Sequence, residues 1–181
     1  MERVVTTMNI AGQIVGAFGI LFSLLSFQFT KRKYILLSQM TASLLFSLQL
    51  FLVGAITGGC LDMISLVRSL VFLNNQKKWA SSKRWLIGFI VIMITTGIFT
   101  WENAWSILPI IGSVLSTIAL WMKEGKHIGM ISLLVGPCWL VYNIINDAYT
   151  GAFNELLAMM SIVLGLIRHD RINKETGKEL V

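Results

Sequence analysis

Apolar runs of membrane-crossing length follow one another along this chain and leave it few ways to fold. They cover approximately residues 8–29, 34–56, 57–76, 85–100, 104–122, 128–149 and 151–168. A helix needs about 20 residues to cross a bilayer, so seven spans would use roughly 140 of the 181 residues and leave no stretch for a separate soluble domain. Only 13% of residues are charged, against about 25% in ordinary soluble domains, which excludes a typical cytosolic globule. The links are short. TGG at 57–59 is a turn between two apolar runs, and DAYTGAF at the last junction reads the same way.

Orientation follows from the basic residues. With the N-terminus outside, the inner loops hold Lys31, Arg32 and Lys33; Lys77, Lys78, Lys83 and Arg84; Lys123 and Lys126; and the tail holds Arg168, Arg171, Lys174 and Lys178. That is thirteen of the fifteen Lys and Arg, the bias of cytoplasmic loops. Arg3 stays outside and Arg68 falls within the third span. Dropping the fourth span would split these clusters across both sides. The formal charge of +6 therefore reads as loop charge facing a lipid bilayer, with no nucleic-acid partner. The first span carries its positive cluster after the apolar run, unlike a secretory signal, and is expected to remain in the mature protein. Trp79, Trp85, Trp101, Trp105 and Trp121 lie near span ends, where headgroups favour them, while Trp139 is mid-span. Cys60 and Cys138 have no metal-ligand spacing and read as small packing residues.

The chain also repeats itself. TGGCLD at 57–62 matches TGAFNE at 150–155, and IVGA at 14–17 resembles IIGS at 110–113, separations of 93 and 96 residues. An odd connector between two three-helix units gives both the same sense, a parallel repeat of the kind transporters use. The expected fold is an all-α integral membrane protein of seven transmembrane helices, with two parallel three-helix repeats joined by a linker helix (3+1+3), N-terminus outside and C-terminus cytoplasmic. Its parts are 1–78, the linker 79–103, 104–170 and a cytoplasmic tail 171–181.

SILPIIGSVLSTIALW at 106–121, PCWLVYN at 137–143 and residues 151–155 resemble the YgjV-type bacterial inner-membrane proteins. The resemblance implies a multi-pass location in the cell inner membrane. It also implies kinship with the SWEET and PQ-loop proteins, which have a 3+1+3 plan and move small polar solutes through a central cavity. This chain departs from the SWEET-like pattern. Its two prolines, Pro109 and Pro137, both fall in the second unit, no PQ dipeptide occurs in the first, and Ser65 and Met159 stand where binding asparagines would be sought. Sugar transport in particular is not implied.

Charged groups at mid-membrane cost about 2.5–3.5 kcal/mol on insertion scales and need a reason to be there. Asp62, Arg68 and Glu155 are such groups. At about 100° per residue, Asp62, Ser65, Arg68 and Ser69 share one arc of the third span, a stripe suited to a cavity or a partner helix. Arg68 can bind a carboxylate or phosphate of a substrate, or pair with Asp62 or Glu155 as an internal tie. Asp62 and Glu155 sit at matching repeat positions, where they can cap their helices and touch water or carry a proton. On the sixth span Trp139, Tyr142, Asn143 and Asn146 fall within one arc, joining aromatic surface to amides. That is the composition of a polar-solute site, or of interhelical hydrogen bonding. Gln39, Ser43 and Ser47 read as packing. Gly12, Gly16, Gly19, Ser23 and Ser26 form a small-residue seam for close helix packing, within the chain or in a homodimer. Pro109 and Pro137 each remove a helical hydrogen bond and are candidate hinges or static bends.

There is no HExxH, GxSxG, P-loop or Gly-rich dinucleotide signature, and His127 and His169 are isolated, so no enzyme, cofactor or metal site is expected. The expected function is a SWEET-like carrier of a small polar metabolite working by alternating access. The competing expectation is a non-transporting membrane receptor or assembly factor of the same fold.

Overall fold

The computed structural model describes residues 2–26, 32–74, 77–122 and 125–176. Within them run seven α-helices: α1 Glu2–Ser26, α2 Arg32–Leu52, α3 Ile56–Leu73, α4 Lys83–Phe99, α5 Ile107–Trp121, α6 Gly125–Ile145 and α7 Tyr149–Thr176. A 3-10 turn, Ala104–Ser106, leads into α5. α1 starts earlier and α7 ends later than the apolar runs, because a helix satisfies its own backbone in water as well as in lipid. The last helix therefore continues into the expected tail, whose final residues 177–181 lie outside the described ones.

Met8–Leu25, Ile56–Leu73 and Ala104–Trp121 are long and apolar enough to cross a membrane, and Leu37–Leu52 and Met130–Ile145 are shorter apolar stretches. Of the other helices, α4 with its 17 residues is shorter than that length. Exposed apolar faces are common to the long helices and to the shorter ones. Ile10, Ile14, Phe18 and Leu21 form an exposed apolar face on α1, as do Ile87, Val91, Ile94 and Ile98 on α4 and Phe153, Leu156, Met160 and Leu164 on α7.

Six helices close a ring in the order α1, α2, α3, α5, α6, α7 and back to α1, while α4 packs chiefly against α5 and α3. The N-terminal parts of α1, α3, α5 and α7 meet the C-terminal parts of α2, α4 and α6 at one end, here the turn end, as the bonds among Gln13, Gln49, Thr150, Thr57, Thr100, Ser106 and Tyr142 require. The opposite, basic end holds Val71, Phe72, Ala80 and Phe89 with Trp121, the rings of Phe72 and Phe89 meeting edge to face at 5.8 Å.

The α2–α3 and α6–α7 turns are two copies of one structure. In the first, Ala55 N–H donates to Leu50 O (2.8 Å) and Gly54 N–H to Phe51 O (3.2 Å); in the second, Ala148 N–H donates to Asn143 O (2.8 Å) and Asp147 N–H to Ile144 O (3.2 Å). This is the Schellman ending, which needs a left-handed residue after the helix. Gly54 (φ 85°) and Asp147 (φ 57°) supply it at equivalent places. Glycine meets that demand without strain, and aspartate tolerates it better than most residues. Leu50 and Ala55 from one turn and Tyr142 and Ala148 from the other pack into a single buried cluster that closes the turn end.

The small-residue seam of α1 is filled within the chain. Gly12 meets Val53 and Leu52, Gly16 meets Gln49 and Thr150, and Gly19 meets Phe46, so α1 lies close on α2 and α7. The side chain of Ser26 lies outside the described residues.

Candidate functional site

A cavity of about 630 Å³ occupies the middle of the ring, and every ring helix contributes to its wall while α4 contributes none. It begins beneath the closed turn end, at Gln49, Leu50, Asn143 and Gly151, and reaches the last turns of α3 and α5 at Leu73 and Leu120. Helical spacing puts Asp62, Ser65, Arg68 and Ser69 of α3 on this wall together. Trp139 and Asn143 of α6 and Glu155 of α7 join them from across the ring. Asp62 lies within electrostatic range of both Glu155 and Arg68.

Arg68 is only 3% exposed. Its Nη1 donates to Thr117 Oγ1 (2.7 Å) and Ser113 O (3.2 Å), and its Nη2 donates to Ser116 Oγ (3.1 Å). The guanidinium thus crosses from α3 to α5 and is held by hydroxyl and carbonyl oxygens. None of these bonds goes to a carboxylate, so the internal tie is made to α5 and not to Asp62 or Glu155. Among the described residues its Nε has no hydrogen-bond partner, nor has the buried Oγ of Ser113. Unmade bonds at buried polar atoms cost about 1–3 kcal/mol each, so a water or another small polar group is expected there.

Asp62 and Glu155 do not cap their helices. The first turn of α3 receives Glu102 from the α4–α5 link, whose Oε1 and Oε2 accept from the Ile56 and Thr57 N–H groups, each at 3.2 Å. A carboxylate there is favoured by the helix dipole. The first turn of α7 receives Gln13 of α1, whose Oε1 accepts from the Thr150 N–H (3.1 Å). Asp62 and Glu155, one turn further in, are left to the cavity, and among the described residues neither carboxylate receives a hydrogen bond from the protein.

Tyr142 and Asn146 take places apart from the cavity wall. Tyr142 is buried at the turn end, its hydroxyl accepting from the Gly58 N–H (3.0 Å), with its ring filling the space a Cβ on Gly58 would need. Asn146 turns back on its own helix to donate to Tyr142 O (2.8 Å). The arc drawn from periodicity is divided because the Tyr142 ring reaches across to Gly58 at the turn end and Asn146 lies past the end of α6 at Ile145.

Pro109 is buried in the first turn of α5, the part of a helix where proline is best tolerated. Pro137 lies inside α6, where the bond to the carbonyl four residues back is lost.

Other residues of the site were passed over in the sequence. Gln39 and Ser43, read as packing, line the cavity, whereas Ser47 does pack, donating to Gly59 O (2.9 Å). Ser113, Ser116 and Thr117 recur at helical spacing on α5, the signal by which a partner face for Arg68 could have been found. Asn154 stands on the wall beside Glu155, and Met159 packs on Gly136 of α6. Gln49 of α2 donates to Thr150 Oγ1 (2.6 Å) of α7, and Gln13 donates to Asp147 O.

A family model described as bacterial inner membrane protein, Imp-YgjV, matches residues 10–173. Among curated proteins, the chain is similar to Inner membrane protein YgjV of Escherichia coli (strain K12), 25% identical over 124 residues that make up 68% of this chain and 65% of that protein. The match thus spans less than two thirds of that relative's length. No solved structure matches.

Proposed function

Since the chain belongs to the Imp-YgjV family of bacterial inner-membrane proteins, we propose that it is a SWEET-like carrier that moves a small polar solute across that membrane by alternating access. All seven helices cross the bilayer in this reading, α1–α3 and α5–α7 forming two parallel units joined by α4, with the turn end outside and the basic end in the cytoplasm.

The observation that carries the proposal is the polar cavity enclosed by six helices, with Asp62, Arg68, Asn143 and Glu155 on its wall. Its volume lies in the range of small-ligand pockets. The helix order supports the two-unit plan: exchanging α1 with α5 and α3 with α7 turns the α3–α5 contact into the α7–α1 contact. The matching turns support it again at residue level. With the turn end sealed and the wall running to the ends of α3 and α5, the conformation is inward-facing. Outward opening then separates the Gln49–Thr150 and Tyr142–Gly58 contacts, which join the second helix of each unit to the third helix of the other.

The test is solute uptake by proteoliposomes across a panel of small polar metabolites, with and without a proton gradient. Arg68→Ala and Asn143→Ala should insert normally and lower uptake at least tenfold. Normal uptake by both variants would remove these residues from the site. Absence of uptake for every solute would favour the receptor reading, in which the basic loops recruit partners.

A further inference from the structure

The cavity is polarised along α3. Near the turn end the carboxylates of Asp62 and Glu155 face it from opposite units, and among the described residues neither has a protein donor. Towards the basic end Arg68 and Ser113 stand on the wall, and among the described residues the Arg68 Nε–H and the Ser113 Oγ, both buried, have no hydrogen-bond partner. Arg68 follows Asp62 by six positions, about 9 Å of helix rise. Side chains on a helix lean towards its N-terminus, and the longer arginine leans further, so the two charged ends are drawn closer than their backbones.

We propose that the transported solute is a small zwitterion carrying both an ammonium and a carboxylate, an amino acid in its chemical class. The ammonium sits between Asp62 and Glu155, where it relieves the repulsion of two like charges and fills acceptors the protein leaves empty. The carboxylate takes the Arg68 Nε–H and the Ser113 hydroxyl, completing the two buried groups that lack partners. A neutral polyol would satisfy neither charged end. A simple anion would meet the paired carboxylates, and a simple cation would leave Arg68 without its acceptor.

This inference rests on the carrier reading for transport but is tested by binding. The purified full chain in lipid nanodiscs would be titrated with L-alanine and 4-aminobutyrate, with their N-acetyl derivatives, with their methyl esters and with glycerol. Saturable binding of at least one zwitterion, weakened at least tenfold by blocking either end, is the expected result. Glu155→Gln should weaken the zwitterion and its ester alike, and Ser113→Ala should weaken the zwitterion and its N-acetyl derivative. Both are small changes, and a monodisperse elution profile establishes that each variant is folded. Equal binding of zwitterion and blocked analogues, or no zwitterion binding, overturns the proposal. Uptake of a different solute class would then leave the carrier reading standing, whereas zwitterion binding without uptake of any solute would overturn the carrier and keep the ligand class.

Discussion

Gln49 and Tyr142, 93 residues apart, occupy the same place in two copies of one turn, and each bonds the first turn of the third helix in the other half of the molecule. Gln49 reaches Thr150 at 2.6 Å, and the Tyr142 hydroxyl takes the Gly58 N–H at 3.0 Å. The side chains differ, yet the backbone and the crossing are conserved between halves. The closed end of the cavity is built from this exchange.

The left-handed residues of the two turns should respond in opposite ways to substitution. Gly54→Ala places a Cβ at φ 85° and is expected to destabilise by about 1–2 kcal/mol. Asp147→Gly relieves the same conformation at φ 57° but gives up the bond its carboxylate accepts from the Tyr149 hydroxyl (2.7 Å), for a net change within about 1 kcal/mol. Thermal unfolding in detergent distinguishes them. Equal losses in both variants would mean that conformation is not what selects these residues.

Gly58 and Tyr142 should be strongly non-additive. Gly58→Ala collides with the Tyr142 ring and should lower the melting temperature sharply, whereas in a Tyr142→Ala background, already weakened by its own cavity, the same change should cost less than about 1 kcal/mol. A double-mutant cycle by thermal unfolding measures the coupling. Additive losses would argue against the close approach.

Much of this was legible beforehand, and the missing parts share a physical reason. Spacing of 100° per residue places Asp62, Ser65, Arg68 and Ser69 on one wall because a regular helix obeys it through its middle turns. It misplaces Tyr142 and Asn146 because the Tyr142 ring reaches across to Gly58 at the turn end and Asn146 lies past the end of α6. The 57–62 and 150–155 match was visible because both segments must let another helix approach at Gly58 and Gly151. Its extension upstream to Gln49 and Tyr142 was hidden, since backbone hydrogen bonds hold those turns and leave the side chains free to diverge. Glu102 caps α3 from 45 residues away, a relationship that no local pattern encodes.

Glu102→Ala should destabilise the α3 end by about 0.5–2 kcal/mol, and Glu102→Gln by less, because an amide oxygen still accepts but brings no charge to the helix dipole. Amide hydrogen exchange at Ile56 and Thr57 reports this directly. Unchanged protection in the alanine variant would show that the carboxylate does not hold these groups.

Thr117→Val removes the shortest bond to Arg68 while keeping side-chain volume, and should cost about 1–3 kcal/mol. A thermal-unfolding comparison with Ser116→Ala, which loses the 3.1 Å bond of Nη2, should rank Thr117 above Ser116. The reverse order would place the main tie on the other arm of the guanidinium.

Access to the cavity from the two membrane faces is the most direct discriminator between a carrier and a receptor. A single cysteine at Ser43, with Cys60 and Cys138 replaced by alanine, would be labelled by a membrane-impermeant thiol reagent in right-side-out and inside-out vesicles. Alternating access requires reaction from both faces, faster from the cytoplasmic one, with the two rates shifting when the transported solute is added. Reaction from one face only, whatever solute is present, would contradict it.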